Sequence, residues 1–75
     1  SPSHFSRQFK VHTGYSPYEY IVLRRIDKAK HLLTSTQMSV KEIAYHTGYN
    51  SEENFIHSFQ KNVGISPGMF RKYPI

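Results

Sequence analysis

Ser39-Val40-Lys41-Glu42-Ile43-Ala44-Tyr45-His46-Thr47-Gly48-Tyr49-Asn50-Ser51-Glu52-Glu53-Asn54-Phe55-Ile56-His57-Ser58-Phe59-Gln60-Lys61 contains two helix starts and a stop between them. Ser39 and Glu42 have capping-box spacing, in which each side chain satisfies an otherwise free backbone N–H of the other. Ile43, Ala44 and His46 follow, and Gly48 is the residue type that ends a helix in left-handed backbone. Asn50 or Ser51 caps the next helix, whose inner face is only Phe55 and Phe59 wide. The segment predicts a short helix at 39–46, a turn at Gly48-Tyr49-Asn50, and a second helix at 51–62.

Outward from this segment the chain repeats itself. Phe5, Phe9, Thr13-Gly14-Tyr15-Ser16-Pro17 and Tyr20 line up, fifty positions apart, with Phe55, Phe59, Val63-Gly64-Ile65-Ser66-Pro67 and Phe70. A repeated helix-and-stop unit implies a repeated task. Ser1-Pro2 opens a helix at 2–12 with Phe5, Phe9 and His12 on one face. Ser16-Pro17-Tyr18-Glu19 combines a capping box with proline at the first helical position, and Val22, Ile26, Ala29 and Leu33 recur at helical spacing through a long helix at 17–35. Ser66-Pro67 starts a last helix at 67–72 carrying Met69 and Phe70. The chain is expected to be all-α, and core packing is the ordinary explanation of each phenylalanine.

Seventy-five residues make a domain that buries only about 60% of its unfolded surface, too little for a deep catalytic cleft. Without cysteine there is neither a disulfide framework nor a thiolate metal site. His4, His12, His31, His46 and His57 include no pair at helical ligand spacing, so no metal or other cofactor is expected. A serine triad lacks acids and a nucleophile elbow, and no enzyme is expected. The longest apolar run, Tyr20-Ile21-Val22-Leu23, is far short of a membrane span, and no signal peptide opens the sequence; the expectation is a soluble, cytoplasmic chain that does not bind membranes. The net charge of +5 and a pI near 9.7 favour polyanions. Arg7, Lys10, Arg24, Arg25, Lys28 and Lys30 outweigh Glu19 and Asp27 in residues 1–33, which therefore carry four of the five net charges.

A short capped helix, a tight turn and a second helix with a narrow apolar face make a helix-turn-helix. In that motif the second helix enters the DNA major groove, so its outward positions must be free of core duty. Glu52, Glu53, Ile56, His57 and Gln60 are placed there, with Asn54 beside them. In the first helix, Ser3, Ser6, Arg7 and Lys10 lie opposite Phe5 and Phe9. Arg7 suits guanine O6 and N7, serines suit several bases, and Lys10 suits phosphate. Lys41, Ser51 and Lys61 are further phosphate contacts. Glu52 and Glu53 oppose phosphates but complement the helix dipole, and a glutamate can also accept from cytosine N4. A solvated amphipathic face is the plain alternative, and the repeat with its charge asymmetry argues against it.

The pattern Phe5-x-x-x-Phe9-Lys10, Gly14-x-Ser16-Pro17-x-x-Tyr20, Arg24 through Ala29 to Leu32-Leu33, Ile43-Ala44-x-x-x-Gly48-Tyr49-x-Ser51-x-x-x-Phe55-x-x-x-Phe59, and Gly64-x-Ser66-Pro67-x-x-Phe70-Arg71 resembles the DNA-binding domain of the AraC/XylS transcription regulators. The resemblance implies a homeodomain-like all-α bundle, with two helix-turn-helix units joined by one long helix. Residues 1–36 would supply the first recognition helix and the linker helix, and 37–75 the second unit. It also implies that the first unit is incomplete, the family's two preceding helices being absent, with local instability, an exposed apolar patch, or packing of that face against another chain as the expected result. Double-stranded DNA is the implied partner, read at an asymmetric site by two recognition helices about 34 Å apart. A full-length regulator would add a companion domain through which it dimerises. The competing reading is a protein-interaction module in which Arg24, Arg25, Lys28 and Lys30 meet an acidic partner such as RNA polymerase.

Overall fold

The computed structural model describes residues 10–75. Residues 10–13 are helical and stop at Gly14, whose φ of 81° lies in the left-handed region. The rest of the helix expected at 2–12, with Phe5 and Phe9, lies outside the described residues. His12, expected on the apolar face, is exposed. Four helices follow: α1 Pro17–Ser35, α2 Val40–His46, α3 Glu52–Val63 and α4 Pro67–Lys72. No strand occurs among the described residues.

Each helix begins on a serine with extended backbone. Ser16, Ser39, Ser51 and Ser66 accept the backbone N–H of Glu19, Glu42, Asn54 and Met69 at 3.0–3.2 Å. Every one of these bonds satisfies a helix-start donor that has no partner within its own helix. At Ser39 the box is complete, because the Glu42 carboxylate also accepts the Ser39 N–H at 3.2 Å. At Ser16 the forward bond forms without the expected return bond; Glu19 lines a cleft against α3 instead. Ser39 and Ser51 serve as caps and not as first helical residues, which moves those two starts by one position.

One core joins the four helices. Ile26, Ala29 and Leu33 of α1 meet Ile43 and Ala44 of α2, Phe55 and Phe59 of α3, and Phe70 of α4. Val22 is only half-buried at its edge, and His46 and Met69 are exposed. The rings of Tyr49, Phe55, Phe59 and Phe70 form a continuous ladder with centroids 5.5–5.8 Å apart. Burial of a phenylalanine of this kind stabilises the fold by about 1.5–3 kcal/mol. Arg71 ties the ends together: its Nε donates to the Leu33 carbonyl at 3.0 Å, and its Nη2 to the Met38 and Thr36 carbonyls at 2.6 and 3.4 Å. The last turn of α1 has no basic residue of its own, so Arg71 supplies the positive charge that its carbonyl end favours.

Candidate nucleic-acid interface

The turn between α2 and α3 is fixed from inside. Thr47 is buried, and its Oγ1 donates to the Ile43 carbonyl at 2.8 Å, so a polar side chain enters the core without an unpaired group. Gly48 turns the chain with φ 95°, and the Tyr49 N–H returns to the Ala44 carbonyl at 3.0 Å. Tyr49 then reaches along α3 and shares a 2.8 Å hydrogen bond with Ser58. Arg25 of α1 closes the outside of the turn, its guanidinium 5.4 Å from the centre of the Tyr49 ring. A Cβ on Gly48 would meet Arg25 Nε at 3.1 Å, so both the backbone angle and the close approach call for glycine.

Held by Phe55 and Phe59, α3 turns Glu53, Asn54, His57, Gln60 and Lys61 outward; all are exposed. Glu52 is half-buried in the first turn, beside the partly positive end of the helix. Ile56 departs from the sequence-based expectation of an outward position free of core duty. It is half-buried and packs on the core cluster, because a branched apolar side chain at the flank of a narrow apolar face folds back onto that face. Ser51 uses its Oγ to accept the Asn54 N–H, which leaves its hydroxyl proton available to an acceptor in solution. The Asn54 Nδ2 donates to Asn50 Oδ1 at 2.8 Å, so Asn50 braces the outward face while Ser51 caps the helix.

Lys41, in the first turn of α2, and Lys10, in the helical stretch 10–13 before Gly14, are both exposed. Ser3, Ser6 and Arg7 lie outside the described residues. Glu42 is held below the ordinary carboxylate range by its hydrogen bonds from the Ser39 backbone and hydroxyl. Between the first half of α1 and the outer flank of α3 runs a cleft of two adjoining cavities, about 640 and 460 Å³, that share Tyr18, Val22, His57 and Ser58. Tyr18 was not singled out by the sequence, Arg25 was named only on the basic face of the competing protein-interaction reading, and Asn50 only as a turn or cap residue. The spacing of positions 18, 22 and 25 on one side of α1 carried that signal. No group of side chains suited to holding a metal ion occurs among the described residues.

A family model described as a helix-turn-helix domain matches residues 1–73. The transcriptional regulator YtdP of Bacillus subtilis is 42% identical over 72 residues, which are 96% of this chain and 9% of YtdP. The transcriptional activator RhaS of Enterobacter sp. is 39% identical over 66 residues, 88% of this chain and 24% of RhaS. The C-terminal domain of AraT, a response regulator from Geobacillus stearothermophilus, superposes with a TM-score of 0.95 at 35% identity, covering 100% of this chain and 62% of that one. The DNA-binding domain of the transcriptional factor AdpA, solved with a target DNA, gives a TM-score of 0.91 at 30% identity, over 96% of this chain and 65% of that one. The chain belongs to the AraC-type helix-turn-helix family, the DNA-binding domains of transcription regulators. It spans about a tenth to a quarter of the length of the curated relatives.

Proposed function

We propose that α3 enters the major groove and reads base edges with Glu53, Asn54 and His57, while Lys41, Ser51 and Lys61 hold the flanking phosphates. The observation that carries this reading is the division of α3: two fully buried phenylalanines anchor one side, and its outer face is polar, exposed and braced from below. Ile56 sits at the edge of that face, where its apolar surface suits a thymine methyl. Glu52 serves the helix start, where its charge complements the helix dipole. Residues 1–36 act as the unit that supplies the first recognition helix, with Ser3, Ser6 and Arg7 toward bases and Lys10 toward phosphate. Residues 37–75 act as the second unit. AdpA, whose DNA-binding domain has this fold, was solved on its target DNA, which supports duplex DNA as the partner.

A second surface has its own observation. Arg24, Lys28 and His31 are exposed along α1 at helical spacing, away from the core side of that helix. In a cytoplasmic regulator with a dimerising companion domain, this stripe would meet an acidic protein such as RNA polymerase.

The test is fluorescence anisotropy of the chain with mixed-sequence duplex at several salt concentrations, repeated with Lys61→Ala and with Arg24→Ala/Lys28→Ala. Affinity should fall steeply with salt, Lys61→Ala should flatten the slope by about 0.9, and the α1 variant should bind DNA as the parent does. A salt-independent affinity, or a Lys61 variant indistinguishable from the parent, would contradict the assignment of α3.

A further inference from the structure

We propose that Arg25 is a ligand for a DNA backbone phosphate, seated in the cleft between α1 and α3, and that it links the linker helix directly to the duplex. The inference rests on the DNA-binding reading of α3.

Arg25 is half-buried, and its guanidinium is held against the Tyr49 ring and the turn at Gly48. Among the described residues no hydrogen bond or ion pair engages its donors. A guanidinium placed over an aromatic ring, with unused donors, suits a phosphate, because part of its side-chain freedom is already lost before the anion arrives. The surroundings agree. The smaller cavity is lined by Arg25 together with Tyr18, Asn50, Asn54 and His57, groups that can all donate to an anion.

Position selects the source of that phosphate. Asn54 and His57 belong to both this cleft and the outward face of α3, so the cleft continues the surface that would lie in the major groove. A helix seated in that groove is flanked by sugar-phosphate backbone, and the α1 side of α3 is where one flank would run. Among the described residues that line the two cavities, Glu19 is the one acidic group. It lines the larger cavity, toward the start of α1, and not the Arg25 end, so the electrostatics favour the phosphate beside Arg25.

The experiment pairs Arg25→Gln with a duplex selected by the parent chain, in which single backbone phosphates are replaced by neutral methylphosphonates. The parent should lose about tenfold in affinity at one flanking phosphate, as expected for a charged hydrogen bond. Arg25→Gln should bind the unmodified duplex about tenfold more weakly, with a salt slope lower by about 0.9, and lose nothing further at that phosphate. The parent's Arg25 Nε–H resonance, followed by nitrogen-15 NMR during duplex titration, gives the same answer should the variant fold poorly: it should shift on binding. An unmoved resonance, or a variant that loses as much as the parent at every phosphate, overturns the assignment of Arg25 while leaving α3 as the reading helix. A parent chain with no salt-dependent DNA binding overturns both.

Discussion

The two Gly-x-Ser-Pro junctions, residues 14–17 and 64–67, have nearly the same backbone and quite different surroundings. Gly14 and Gly64 both take positive φ, at 81° and 98°. Ser16 and Ser66 hold φ,ψ of −68°, 160° and −70°, 156°, and cap the next helix through bonds of 3.1 and 3.2 Å. The aromatic three positions after each proline then diverges: Phe70 is 3% exposed and Tyr20 is 39% exposed. Cap chemistry is spent within four residues and reads the same in either place. Burial depends on what lies across the fold, and Phe70 has Phe59 at 5.6 Å.

The sharpest way to break this comparison is to truncate both aromatics. Phe70→Ala should cost about 3–5 kcal/mol by chemical denaturation, and Tyr20→Ala less than half as much. Equal losses would mean that position in the repeat, and not burial, sets the cost. The next residue tests the same contrast: Arg71→Met strands the Leu33 and Met38 carbonyls and should lower stability by about 2 kcal/mol, whereas Ile21→Ala at the exposed equivalent position should stay within about 0.5 kcal/mol.

The glycines separate backbone angle from contact. Gly14→Ala and Gly64→Ala put a Cβ into open space and should each cost about 1–2 kcal/mol for left-handed backbone alone. Gly48→Ala adds pressure on Arg25 and should exceed both in thermal melts. The caps should sharpen the likeness, with Ser16→Ala and Ser66→Ala each losing about 1 kcal/mol and agreeing within about 0.5 kcal/mol.

The smallest effect belongs to Glu42. Its carboxyl is held below the ordinary 4.5 by hydrogen bonds at Ser39, so the folded state favours its ionised form. Its contribution should be complete above about pH 4.5 and be lost as pH falls through the lowered value. Melting temperatures of Glu42→Gln and the parent should therefore converge in strong acid.

What the sequence made legible follows the same division. Four serine caps, the positive-φ glycines and the core positions Ile26, Ala29, Leu33, Ile43, Ala44, Phe55, Phe59 and Phe70 are written in local spacing. Arg71 was not legible as a tie, because its acceptors lie 33 to 38 residues away. Thr47 carried no reading in the sequence, its burial and its bond to Ile43 appearing only in the fold, and Ile56 reads as outward until its flank is packed. The outer face of α3 was legible because two phenylalanines define its opposite. The cleft was not, since it needs α1 and α3 side by side. The resemblance to the AraC/XylS regulators supplied the pairing of two reading units, which no single helix period contains.

The most direct test of α3 as a reading helix is selection of duplexes from a random library by the parent chain and by Asn54→Ala and His57→Ala. The parent should enrich an asymmetric sequence, and each variant should relax preference at its own one or two base pairs while leaving the rest of the motif intact. Enrichment of no motif, or an identical motif from all three proteins, would contradict the account.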